Sequence, residues 1–224
     1  MADVRERYSK LFGRGEGTDR IQFFSDAVFA IAMTLLVLDI RLPPVADDSQ
    51  LLGALLNLWP EYFAYVLSFL IIAIRWFSHH RTFRVIERYD TRLIWINLLL
   101  LLIIAFVPFP TSLLSEYGPE TPVVVLYAAT VSALSLVQWW IWAHARRAGL
   151  LGSNIDDGLY RVQRAGLIPG PVVFGLSIIV ALWQPLWAMY AWIVLWPLSF
   201  AVDRVVAHRI DRRDAAAGAA GAAG

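Results

Sequence analysis

Residues 20–43 read RIQFFSDAVFAIAMTLLVLDIRLP, with Ser25 and Asp26 a turn or so inside an apolar run that only Thr34 interrupts. The stretch is about long enough to cross a bilayer as a helix. A carboxylate inside a membrane span is costly unless it is paired or close to water. Asp26 therefore needs partners at its own depth. The residues able to supply them are His79 and His80, Asn97, and the cations Arg75, Arg81 and Arg92. Two chemistries fit a buried acid of this kind. One is structural, in which charge-assisted hydrogen bonds tie the segment to its neighbours. The other is proton or ion coupling in a secondary transporter that uses Asp26. Against the second, Asp26 is the one clearly buried acid, and its segment lacks the Gly/Pro break of transporter sites.

Beyond Asp26, Ile31, Thr34, Leu35 and Leu38 are spaced i, i+3, i+4 and i+7, which puts them on one stripe of a helix. Phe24 and Ala27 extend the stripe backward. Asp26 lies ~140° away from Ile31 around the same helix, so the carboxylate points off the stripe. An apolar stripe with one hydroxyl suits a surface against lipid or core. That is the ordinary role of such a stripe, and the sharper alternative is a pore lining with hydrophobic constrictions, which gate by narrowing and dewetting. Periodicity alone does not choose.

The elements that must position these residues follow from composition. Hydrophobic residues make up 58% of the 224-residue chain and charged residues 17%, far from the balance of a soluble domain. Six apolar segments, 21–42, 56–79, 93–114, 122–144, 164–184 and 186–206, are each near spanning length. The expected fold is all-α, a polytopic membrane protein of six transmembrane helices in one domain over 21–207. Residues 1–20 and a low-complexity tail, 208–224, flank it. No cleavable signal peptide is expected, so the first span serves as its own insertion signal. Of the 19 Lys and Arg residues, all but Arg41 fall in the N-terminal segment, in the loops after the second and fourth spans with their flanks, or in the C-terminal segment from Arg204 on. Such asymmetry puts both termini in the cytoplasm. Trp59, Trp76, Trp95, Trp183, Trp187 and Trp196 read as interfacial anchors. The PFP of 108–110 should kink or end the third span, and IPGPVVFG at 168–175 should bend the fifth or admit a close neighbour.

Net charge is +1, which argues for no nucleic-acid partner, and with no Cys there is no thiolate metal site. The four His form no zinc-protease pattern, and nucleotide loops, nucleophile elbows and dinucleotide fingerprints are absent from the sequence. No metal, cofactor or enzymatic activity is expected.

Arg20, Phe24, Ser25 and Asp26 form R-x-x-x-F-S-D, followed by AVFAIAMTLLVL; WFSHHRTF stands at 76–83 and IERYDTRLIWINLLLLLIIAFVPFPTSLLSEYG at 86–118. With these segments the chain resembles the endolysosomal potassium channel family, and more closely its bacterial members, over roughly 20–120. The resemblance implies one six-helix unit per chain, assembled as a homotetramer in the cell membrane, with the first helix lining a central pore for potassium ions. It also implies that Ile31 forms the apolar constriction, that Leu35 and Leu38 add further constrictions, and that Thr34 supplies a hydroxyl layer for potassium preference. The family lacks the Thr-Val-Gly-Tyr-Gly filter loop, as does this sequence. On this reading the motif residues Arg20, Phe24, Ser25 and Asp26, with His79, His80 and Asn97, form the network that anchors the first helix and sets its rotation.

Overall fold

The computed structural model describes residues 14–44, 47–153, 155, 157–193, 204 and 208. In lipid a spanning segment must satisfy its own backbone N–H and C=O groups, and the apolar runs accordingly fold as helices. These are α1 (Asp19–Leu35), a short exposed α2 (Leu51–Asn57), α3 (Trp59–Phe83), α4 (Thr91–Phe106), α5 (Pro108–Tyr117), α6 (Thr121–Arg147), α7 (Asp157–Gly166) and α8 (Pro169–Ala181). A 3₁₀ turn, Leu36–Asp39, continues α1. Among the described residues five rods are long and apolar enough to cross a membrane: Asp19–Asp39, Trp59–Phe83, Thr91–Tyr117, Thr121–Arg147 and Asp157–Ala181. The expected sixth span, 186–206, is helical over 185–193, and 194–203, 205–206 lie outside the described residues. So do 1–13 and 209–224 of the flanking segments.

The two largest differences from the hydropathy pattern are the end of the second span and the start of the fifth. The second span runs to Phe83 rather than stopping at 79, because His79, His80 and Arg81 continue the helix as its last turns. The fifth rod begins at Asp157 rather than 164, because its first segment, α7, is amphipathic and carries Arg161 and Arg164. The PFP marks the junction of α4 and α5, where prolines start a new helix and cannot continue the old one. At Gly170 an added Cβ would stand 2.7 Å from the Ser135 hydroxyl and 3.0 Å from Arg75 Nη2, so α8 approaches α6 and α3 as closely as only glycine allows.

One feature departs from an all-helical chain. Strand β1 (Arg14–Glu16) pairs antiparallel with β2 (Arg88–Asp90), Arg14 opposite Asp90. The ribbon brings the entry to α1 and the connection between α3 and α4 to one end of the bundle. There the Asp90 carboxylate caps α4 by accepting from the Leu93 N–H at 2.7 Å and also meets His144 Nε2 at 2.9 Å.

α6 is the central helix, packed by α8, α4 and α5, while α1 lies across α3 and α4. The core that seats α1 holds Phe29, Ala32 and Leu36 against Ile72 of α3 and Leu93, Leu100 and Ile104 of α4. A second cluster joins Ala64, Tyr127, Ala128, Phe174 and Trp192. Polar contacts stitch the interior, with the Thr111 hydroxyl donating to Ser68 Oγ and the Ser68–Tyr127 hydroxyl pair at 2.8 Å.

Candidate pore-lining helix and its anchor

α1 has two unlike faces. Ser25, Phe29, Ala32 and Leu36, spaced i, i+4, i+7 and i+11, are buried against the bundle. On the opposite side Phe24, Ala27, Ile31, Thr34, Leu35 and Leu38 are exposed, with Ile31 58% and Leu38 61% accessible on the single chain. The chain's own packing thus leaves the whole stripe uncovered. The final turn differs from an ideal helix. In 3₁₀ geometry side chains at i and i+3 eclipse, so Leu38 stands over Leu35 rather than drifting round the axis. Thr34 Oγ1 donates to the Ile31 carbonyl at 2.8 Å. With its proton committed to the helix, the hydroxyl presents acceptor lone pairs outward.

The buried face is fixed by a directed chain of hydrogen bonds. The Ser25 hydroxyl donates to the Ile21 carbonyl at 2.8 Å and accepts from Asn97 Nδ2 at 2.9 Å. Asn97 Oδ1 meets His79 Nε2 at 2.9 Å. Since an amide oxygen only accepts, His79 carries a proton on Nε2. The His79 ring is clamped between Phe83, stacked at 4.3 Å, and Phe29 at 5.4 Å. Ser25, His79 and Asn97 are all almost fully buried, so three helices share one polar chain in an apolar interior, which ends at His79, whose Nδ1 has no hydrogen-bond partner among the described residues.

Asp26 sits one position round from Ser25 and is half-buried. Its hydrogen bond comes from the Trp76 indole, Nε1 to Oδ1 at 2.8 Å. The expected donors have other partners: Asn97 bonds both Ser25 and His79, and His80 Nδ1 meets Gln22 Nε2 at 2.8 Å while its ring packs on Trp76. Arg81 lies over the Phe77 ring and Arg92 over Trp140, and Arg75 faces a different part of the bundle, described below. Two motif residues expected in the anchor are not brought into it. Arg20 is exposed, and Phe24 falls on the open stripe, because neither shares the angular position of Ser25. Sequence reasoning missed Trp76, Gln22 and Thr18, whose hydroxyl donates to the Ile86 carbonyl at 3.2 Å and pins the start of α1. A Trp one turn before His80 on α3 was the available signal.

Trp76→Phe keeps one aromatic ring and removes the N–H together with the second, fused ring of the indole. It should cost about 1.5 kcal/mol, the lower end for a hydrogen bond to a charged group, because Asp26 keeps some access to solvent. Thermal unfolding of the purified protein reads this directly. An unchanged transition would mean that the indole hydrogen bond to Asp26 adds nothing to stability.

Comparison with known proteins agrees with this geometry. The family described as endosomal/lysosomal potassium channel TMEM175 matches residues 20–108. A potassium channel of Streptomyces collinus is 39% identical over 171 residues, covering 72% of this chain and 83% of that protein. One from Chamaesiphon minutus is 42% identical over 174 residues, covering 72% and 85%. The crystal structure of a lysosomal potassium-selective channel TMEM175 homolog from Chamaesiphon minutus aligns with a TM-score of 0.66 at 32% identity, over 86% of this chain and 97% of that one. Together with the uncovered stripe and the anchored opposite face, these matches identify a multi-pass membrane protein that belongs to the endosomal/lysosomal potassium channel TMEM175 family.

Proposed function

We propose that this chain is a potassium-preferring cation channel that conducts passively through a homotetrameric pore lined by α1. The observation that carries the proposal is the exposed Ile31–Thr34–Leu35–Leu38 stripe on a helix whose other face is locked to the bundle. A single α1 cannot enclose a path, and four copies around an axis turn each stripe position into a ring. Rings of Ile31, Leu35 and Leu38 would be hydrophobic constrictions. A ring of Thr34 hydroxyls, each offering lone pairs outward, would replace part of a cation's hydration shell. The Ser25–Asn97–His79 chain and the Trp76–Asp26 bond set the rotation of α1, Phe24 continues the stripe, and Arg20 stands at the mouth.

The basic asymmetry orients both termini to the cytoplasmic face of the cell membrane. Residues 21–207 form the conducting unit, flanked by 1–20 and 208–224. The competing function is a coupled transporter in which Asp26 exchanges a proton. The indole bond to Asp26 favours a structural role for the carboxylate instead.

Purified full-length protein in planar bilayers, with potassium on one side and sodium on the other, tests the proposal. Unitary currents reversing toward the potassium equilibrium potential are expected. Saturating, coupled flux without unitary events would assign the transporter role, and silence would leave a scaffold.

A further inference from the structure

Arg75 stands about two turns inside the C-terminal end of α3 and is buried. Its neighbour Trp76 reaches Asp26, and one position on a helix is ~100° of rotation. Arg75 therefore points away from α1, toward α6 and α8, where Nη2 lies beside Gly170. Gln138 Nε2 donates to the Arg75 backbone carbonyl at 3.0 Å and locks this turn of α3 to α6. Among the described residues the guanidinium forms no ion pair, and neither its Nε nor Gln138 Oε1 has a hydrogen-bond partner. An uncompensated guanidinium within a span is costly, and such groups face a cavity or a counter-charge.

Arg75 forms one end of a groove of about 260 Å³ walled by Phe63, Leu67 and Leu70 of α3, Phe174 of α8 and Trp192. The far wall is rigid, for Trp192 donates to Ser177 Oγ at 2.9 Å and stacks on Tyr127 at 4.9 Å. Val66 and Ile193, both about half exposed, form its open lip. From Phe63 to Arg75 the groove follows α3 for ~18 Å, comparable to half of the ~30 Å hydrocarbon core. Its volume falls just under the ~300 Å³ lower limit of ordinary ligand pockets, enough for one chain rather than two. The site is thus an apolar slot of one-leaflet length that ends on a fixed cation with no ion pair among the described residues.

We propose that this groove holds one acyl chain of an anionic phospholipid of the surrounding bilayer, with its phosphate seated on Arg75. Guanidinium offers phosphate a bidentate pair of N–H donors, and basic pockets between transmembrane helices take anionic head groups. The apolar walls select a chain, and Arg75 selects the charge of the head. The site lies on the side of α3 away from the conducting stripe, so the proposal does not depend on the pore reading.

The test is native mass spectrometry of the purified full-length chain, titrated with phosphatidylglycerol and with phosphatidylcholine of the same acyl chains. Wild type should retain phosphatidylglycerol at least threefold more strongly. Arg75→Gln should bind the two lipids alike. Val66→Trp, at an exposed position where it fills the lip and leaves the charge in place, should weaken phosphatidylglycerol binding about threefold, and this arm stands even where Arg75→Gln does not fold. Equal binding of the two lipids by wild type would overturn the proposal and assign Arg75 to a carboxylate of another copy. Preference surviving in Arg75→Gln, or binding unchanged in Val66→Trp, would overturn it as well. Inorganic phosphate should not compete; displacement of the lipid by millimolar phosphate would make this a free-anion site and reject the acyl chain.

Discussion

Ile31→Asn raises unitary conductance about tenfold, the change that follows from lowering a barrier by ~1.4 kcal/mol. Ile31 is exposed on the single chain, so an amide there strands no buried group and leaves the seat of α1 intact. In the proposed four-fold ring the same change would exchange apolar side chains for groups that hold water, and would remove the dewetted plug that a ring of isoleucines would form. Folding and conduction are thereby separable: the variant should unfold at the wild-type temperature while its currents grow. Single-channel recording with a parallel melting curve reads both. A conductance equal to wild type would place the narrowest point elsewhere on α1, and a drop in melting temperature would place Ile31 in the packing.

The converse behaviour belongs to Asn97. Asn97→Ala should destabilise the protein by about 3 kcal/mol, because it strands the His79 Nε2–H and removes the donor to Ser25, and each buried group left unpaired costs ~1–3 kcal/mol. The cavity left between α1, α3 and α4 adds to that. Since the chain fixes the angular position of α1, currents should also become heterogeneous while the stripe residues are untouched. Thermal unfolding in detergent together with recordings of the same preparation tests this. An Asn97→Ala protein as heat-stable as wild type would show that water replaces the amide and that rotation is set elsewhere.

Much of this arrangement is legible in residue order. Apolar runs of spanning length, the placement of arginines and the i, i+3, i+4, i+7 spacing of the stripe are all one-dimensional signals, and the helices follow them. So does the demand that a buried acid have a donor. The identity of that donor is not legible. A Trp near a helix end has two uses, lipid anchoring and hydrogen-bond donation, and composition does not distinguish them; Trp76 serves the second. Ser25 reads in the sequence as one anchor residue among several, yet it is the junction of the chain, because a serine can accept from another helix while donating to a carbonyl one turn back on its own. The start of α7 at Asp157 escapes a hydropathy reading because one face of that helix is charged. The three-residue strands, charged and without alternation, carry no signal at all. Nor does the LVLD of the 3₁₀ turn, which contains neither glycine nor proline.

That turn has a metric consequence. Four α-helical residues advance ~6 Å, which is the step from Ile31 to Leu35. Three 3₁₀ residues also advance ~6 Å, which is the step from Leu35 to Leu38. An uninterrupted α-helix would have placed Leu38 only ~4.5 Å beyond Leu35. The change of helix type thus spaces the three apolar rings evenly, so that in the proposed pore they behave as resistors in series at a constant pitch. The largest sets the current and hides the others, and widening Leu35 becomes visible only once Ile31 has been relieved.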